Sequence, residues 1–199
     1  FTILIAVIST LISTIVGTIA ALGINNMTRL GRTVMLNVNN LPVLNPDIVT
    51  GVALMTLFIS IRIELGFVTM LIAHIVFSIP YVILAVLPKL RQMNKHTAEA
   101  ALDLGATPAY AMRKVIIPEI MPGIVSGALI AFTLSIDDFV ISFFTAGTSV
   151  TNLSILIYSM AKRGVKPTIN ALSTLMFVVV LILMIIINKK KDKGEDIII

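Results

Sequence analysis

Two adjacent carboxylates, Asp137 and Asp138, stand in the run FTLSIDDFVISFF, whose other residues are apolar or carry only a hydroxyl. An ionised carboxylate in a lipid-spanning helix costs about 2.5 to 3.5 kcal/mol on insertion scales, so neither is expected to face hydrocarbon. Neighbouring helix residues point about 100° apart. One carboxylate can therefore face a polar path while the other packs against a neighbouring helix or caps a local break; the plainer alternative is a buried structural pair. Ser142, four residues after Asp138, and Thr133, four before Asp137, supply hydroxyls that can satisfy them. Carboxylates on a path attract cations, as do the faces of rings such as Phe139 and Tyr158. The other ionisable group inside an apolar run is His74, in LIAHIVFSIPYVIL, with Pro80 positioned to kink the same helix. It is either a functional group or a neutral histidine bonded to a neighbouring helix.

These residues need long apolar elements to carry them. Of the 199 residues 57% are hydrophobic and 13% charged, and the mean hydropathy is +1.04, more than a soluble core of this size requires. About 20 apolar residues cross a bilayer as a helix, and five such spans are read at 1–24, 43–61, 66–88, 121–145 and 168–187. Continuous apolar runs without period-two alternation exclude outer-membrane strands. Sixteen residues from Met121 to Asp137 rise about 24 Å, which puts the acidic pair toward the far side of a core about 30 Å thick.

The basic cluster Lys189-Lys190-Lys191-Asp192-Lys193 after the last span predicts a cytoplasmic C-terminus. Threading back from it places Arg29, Arg32, Lys89, Arg91, Lys95, Arg113 and Lys114 inside, and Arg62, Lys162, Arg163 and Lys166 outside. Eleven of the 15 basic residues are then internal, which also explains the net charge of +5 without a nucleic-acid partner. Phe1 begins in an apolar run on the external side, without a basic leader, so a further N-terminal helix is expected upstream. The absence of cysteine removes disulfides and thiolate sites from consideration.

Between the third and fourth spans, 89–120 is the most polar loop. Residues 97–104 favour a short helix with Thr97 as N-cap and Glu99 in its first turn. Gly105 can take a positive φ and turn the chain, and Thr107-Pro108 reads as the cap and first position of a second short helix to about 116. The plain reading is an amphipathic loop with i, i+4 pairs among Lys95, Glu99 and Asp103.

The pattern Glu99-Ala100-Ala101, Gly105, Ile117-Pro118, with Pro122 leading into a span, resembles the cytoplasmic coupling loop of the membrane subunits of ATP-binding-cassette importers; Ile117 replaces the usual leucine. The resemblance implies an all-α, polytopic transmembrane bundle of the type I ABC importer permease (MetI-like) fold, in the plasma (inner) membrane of a prokaryote. It implies ATPase coupling through Glu99, Ala100, Ala101, Gly105 and Pro118. The implied partners are ATP-binding subunits, a second homologous permease subunit, an external solute-binding protein and the lipid bilayer. No G-x-x-x-x-G-K-[ST] run occurs, so ATP and Mg are expected on the partner ATPase, with no cofactor or metal on this chain and no catalysis by it.

Beyond that loop, FTLSIDDFVISFF, the following ILIYSMAKRGVKPTINA and Asn45-Pro46-Asp47-Ile48-Val49 are similar to permeases of spermidine and putrescine importers, of the second of their two permease types. That implies a polyamine cargo and a substrate pathway at Asp137, Asp138, Ser135, Phe139 and His74. The alternatives are another small solute or, in a different class, an ion-coupled carrier that works alone. Three smaller features complete the reading. Asn45-Pro46-Asp47 looks like a helix start, Gly123-x-x-x-Gly127 permits close helix approach, and 152–162 has an amphipathic period suited to an interfacial helix or a binding-protein contact.

Overall fold

The computed structural model describes residues 1–163, 170–171, 173–182 and 185. It divides into two compact units, 1–155 and 156–199. The first is built on three long apolar helices: α1 (Thr2–Asn26), α4 (Phe67–Gln92) and α7 (Ile117–Asp137). Between α1 and α4 lie α2 (Arg29–Leu44) and α3 (Asp47–Ser60), and between α4 and α7 lie the short α5 (Lys95–Asp103) and α6 (Pro108–Ala111). After α7 come α8 (Val140–Thr145) and α9 (Leu153–Arg163), which belongs to the second unit from Leu156 onward. Residues 173–182 of that unit form an apolar helix. Residues 168–169, 172, 183–184 and 186–187 of the expected span at 168–187, and the basic cluster at 189–193, lie outside the described residues.

Helix α4 is the hub of the first unit, because both α1 and α7 approach it through glycine. A Cβ at Gly17 of α1 would stand 2.7 Å from Cβ of Val82, and one at Gly127 of α7 would stand 3.2 Å from Cα of Val82. Gly123 is equally confined, 3.0 Å from the Ala85 carbonyl oxygen and 3.2 Å from Cα of Val86. Without side chains at these points the backbones pack closely, which is how helices gain contact energy where lipid is as apolar as the core. Gly123-x-x-x-Gly127 thus packs within the chain. Val82, Ile83, Val86, Leu87 and Leu90 of α4 fill the core with Ala21 and Ile24 of α1 and Ile120 and Ala131 of α7.

Three features depart from the sequence-based expectation. The stretch before 43, expected as a loop, is the helix α2; it buries no residue, and three asparagines, two arginines and Pro42 keep its apolar content well below that of a span. It meets α3 at 102° across Asn45-Pro46, where Pro46 caps α3 and Asp47 opens it. Second, α6 does not end near 116 but runs on through a π-helical turn, Met112–Ile116, into α7, one continuous helix over Pro108–Asp137. Pro118 explains the turn: its ring would clash with the carbonyl of Lys114, and the wider turn, in which the Ile117 N–H donates to Met112 O, accommodates it. Third, the long run 121–145 is not one helix, because α7 stops at Asp137 and α8 starts at Val140.

Candidate functional site

The break between α7 and α8 separates the two carboxylates. Asp138 has extended backbone (φ −63°, ψ 120°) and follows the last residue of α7. Its carboxylate turns back over α8: the N–H of Ile141 donates to Oδ1 at 3.2 Å and that of Ser142 to Oδ2 at 2.8 Å. These are donors that a helix start leaves without intrahelical partners, and a carboxylate is among the best acceptors for them. Asp138 is thereby a cap, with 7% of its side chain exposed. Asp137, the last residue of α7, is exposed. The hydroxyls expected to satisfy the pair do not: Thr133 Oγ1 donates to Leu129 O in its own helix, and Ser142 reaches Asp138 through its backbone N–H.

Asp137 opens into a cleft of about 300 Å³ bounded by the end of α7, the start of α3 and the middle of α4. Its lining includes Asp47, Phe77, Tyr81, Asp138 and Phe139 and, among the described residues, no lysine or arginine. Asp47 is exposed, like Asp137. Sequence reasoning saw Asp47 at a helix start and within a stretch of the permease resemblance, not as a neighbour of Asp137. Nothing in the chain's order brings it to Asp137, 90 positions away; the α2–α3 bend does. Phe77 and Tyr81 stack at 5.5 Å on one wall, and Phe139 lies 5.4 Å from Phe143 on another. Tyr158, in the second unit, has its ring covered by the Lys162 ammonium at 4.9 Å from the centroid.

His74 and Ser135, expected on the same path, do not line the cleft. They are buried, and His74, 2% exposed, bonds Ser135 Oγ through Nδ1 (2.8 Å) and Ser142 Oγ through Nε2 (2.9 Å).

The second candidate surface is the polar loop at the other end of α4. Helix α5 begins at Lys95, and its N-cap is Asn94, which accepts from the His96 N–H; Thr97 lies inside the helix. Gly105 has φ +85°, and its N–H donates to Leu102 O, so the turn expected there forms as read. Thr107 Oγ1 then accepts from the Tyr110 N–H with Pro108 in the first turn, as its sequence foretold. Glu99 pairs with His96 at 3.0 Å, both side chains exposed to solvent. The turn displays apolar side chains, with Leu104 89% and Tyr110 57% exposed. Ala101, Leu104, Gly105 and Tyr110 rim one shallow hollow. Glu99, Ala100, Ala101 and Gly105 thus share this knob, whereas Pro118 lies beyond it, at the start of α7.

Comparison with known proteins gives one consistent placement. A family described as "Binding-protein-dependent transport system inner membrane component" matches residues 13–190. The spermidine/putrescine transport system permease protein PotC of Haemophilus influenzae is 38% identical over 177 residues, 89% of this chain and 69% of its own length. PotC of Escherichia coli K12 is 36% identical over 192 residues, 95% of this chain and 73% of that protein. The putrescine permease PotI of the same strain is 41% identical over 145 residues, 70% of this chain and 52% of its own. Among solved structures, a chain of the MetNI methionine ABC transporter superposes with a TM-score of 0.76 at 20% identity, over 94% of this chain and 90% of its own, so the fold is shared. The glycine-packed helices, the knob with its positive-φ glycine and these similarities agree: the chain belongs to the binding-protein-dependent transport system inner membrane components, the membrane-embedded permease subunits of ABC importers.

Proposed function

We propose that this permease subunit imports polyamines of the spermidine and putrescine type, and that the cleft beside Asp137 is part of their path. The observation that carries the reading is the pairing of two exposed carboxylates, Asp47 and Asp137, with the rings of Phe77, Tyr81 and Phe139 in one cleft that holds no lysine or arginine among the described residues. A polyamine is a flexible chain with two or more ammonium groups separated by methylenes. Carboxylates at two points meet the ammonium groups, and aromatic faces accept both the charge and the methylenes. The names of relatives at 36–41% identity support the same cargo.

In this reading the subunit forms half of the pathway, with a second homologous permease subunit supplying the other half, and an external solute-binding protein delivers cargo to the end that carries the α7–α8 break. The knob at the opposite end receives an ATP-binding subunit: exposed Leu104 and Tyr110 are anchors of the kind that protein partners bury. The charge asymmetry of the loops supports a cytoplasmic position for the knob and the C-terminus.

The test is uptake by the assembled transporter with Asp47→Asn and Asp137→Asn. Each is expected to lower polyamine transported per ATP hydrolysed by about tenfold, the equivalent of roughly 1.4 kcal/mol. Uptake at the wild-type rate in both would remove the cleft from the path.

A further inference from the structure

Behind the cleft runs a chain of buried side-chain hydrogen bonds that the transport reading leaves unused. It joins Ser9 of α1, His74 of α4, Ser135 of α7, Ser142 of α8 and Asn152 of the loop before α9. Each of these five residues is at most 3% exposed. The links are Ser9 Oγ to Ser135 Oγ (3.1 Å), Ser135 Oγ to His74 Nδ1 (2.8 Å), His74 Nε2 to Ser142 Oγ (2.9 Å) and Ser142 Oγ to Asn152 Nδ2 (2.8 Å).

Counting protons fixes the direction of every link. A hydroxyl has one proton to give. Ser9 gives its proton to Ala6 O (3.2 Å), so Ser135 must donate to Ser9. Ser135 must then accept from His74, which places a proton on Nδ1. At the far end the Asn152 amide can only donate to Ser142, leaving the Ser142 proton for Nε2. A neutral imidazole with Nδ1–H gives every one of these links one donor and one acceptor. The Asn152 carbonyl is itself occupied, accepting from the Ile155 N–H at 2.9 Å. Asp138 Oδ2 lies 3.6 Å from Nε2, beyond hydrogen-bond range, with the α8 N–H groups as its partners.

We infer that His74 is a positioning residue: as a neutral donor and acceptor it ties α1, α4 and α7 to α8, and so holds the α7–α8 break in the geometry that turns Asp138 inward and Asp137 into the cleft. Its side chain touches α7 on one side of the break and α8 on the other, which an apolar residue of the same size cannot join. The effect on uptake rests on the cleft reading given above; the effect on the position of α8 does not.

The experiment uses the full chain assembled with its partner subunits in proteoliposomes. Ile141, fully buried on α8, is changed to cysteine as a reporter; the 199 residues contain no other. Its labelling by a water-soluble maleimide, read on this chain, is compared for His74, His74→Gln and His74→Leu. Glutamine offers one donor and one acceptor without charge; leucine offers bulk alone. The expected result is slow labelling with His or Gln, and acceleration of about tenfold or more with Leu, the scale of a lost buried hydrogen bond. Polyamine uptake per ATP, measured without the reporter, should follow the same order, with Gln restoring most of what Leu loses. Should His74→Leu fail to assemble, Ser142→Ala removes the Nε2 donor with little change of volume and should behave as Leu does. Labelling as slow with Leu, or with Ser142→Ala, as in the wild type would overturn the inference, and so would a Gln variant labelled as fast as Leu. Labelling needs no cargo, so a transporter that moves no polyamine yet shows the expected labelling order refutes the cleft reading and upholds the positioning role.

Discussion

Asp137 and Asp138 are chemically identical neighbours with opposite surroundings, and their variants should differ in kind. Asp137→Asn removes charge from the cleft and leaves the Asp138 capping bonds in place, so a transport defect is expected with an unchanged thermal midpoint of the purified subunit. Asp138→Ala strips the Ile141 and Ser142 N–H groups of their acceptor. It should cost about 1 to 2 kcal/mol of stability, the usual loss for a helix cap, read as a lower midpoint and faster proteolysis near α8. A stable Asp138→Ala protein with a pure transport defect would contradict the cap. The sequence marks both residues as too costly to face lipid and allows for a cap at a break. It does not say which residue caps, because that depends on where α7 stops. Nor does it connect Asp47 or Asn152 to them, because those contacts are made by a bend and a loop return rather than by any spacing.

At the scale of elements, the close passages on α4 make specific demands. Gly17→Val adds bulk where even a Cβ would stand 2.7 Å from Val82, and should destabilise by at least the 1 to 3 kcal/mol typical of overpacking. The same change at Gly23, which has nothing within 4 Å of a Cβ, should cost no more than a few tenths to about 1 kcal/mol of helix propensity gained or lost. Thermal midpoints of the two variants check the contrast. Gly105 differs again: a Cβ there meets nothing within 4 Å, so the cost of a substitution is conformational. Proline at 105 cannot take φ +85° and lacks the N–H that binds Leu102 O. Gly105→Pro should leave the bundle folded yet uncouple ATP hydrolysis from uptake, and retained coupling would refute the knob's role. The long apolar helices and the Thr107-Pro108 start were legible because hydropathy and capping are local signals. Helix α2 was not, since its polar composition reads as a loop, and the π-helical turn depends on how Pro118 fits into a helix that continues through it.

For the whole molecule, the arrangement joins two sites at opposite ends of the continuous helix over Pro108–Asp137. The knob is continuous with α7 through the π-helical turn, and α7 ends at Asp137. A movement of the knob therefore reaches the cleft along one helix without an intervening loop. The loop charges and the coupling motif already indicate an importer subunit from the sequence, whereas the line from knob to cleft emerges only from the fold. The central claim is tested most directly by uptake of labelled spermidine into vesicles that hold this chain, with and without its ATP-binding, permease and solute-binding partners, in the presence and absence of ATP. The account predicts spermidine movement only when partners and ATP are both supplied; uptake by this chain alone, driven by an ion gradient, would contradict it.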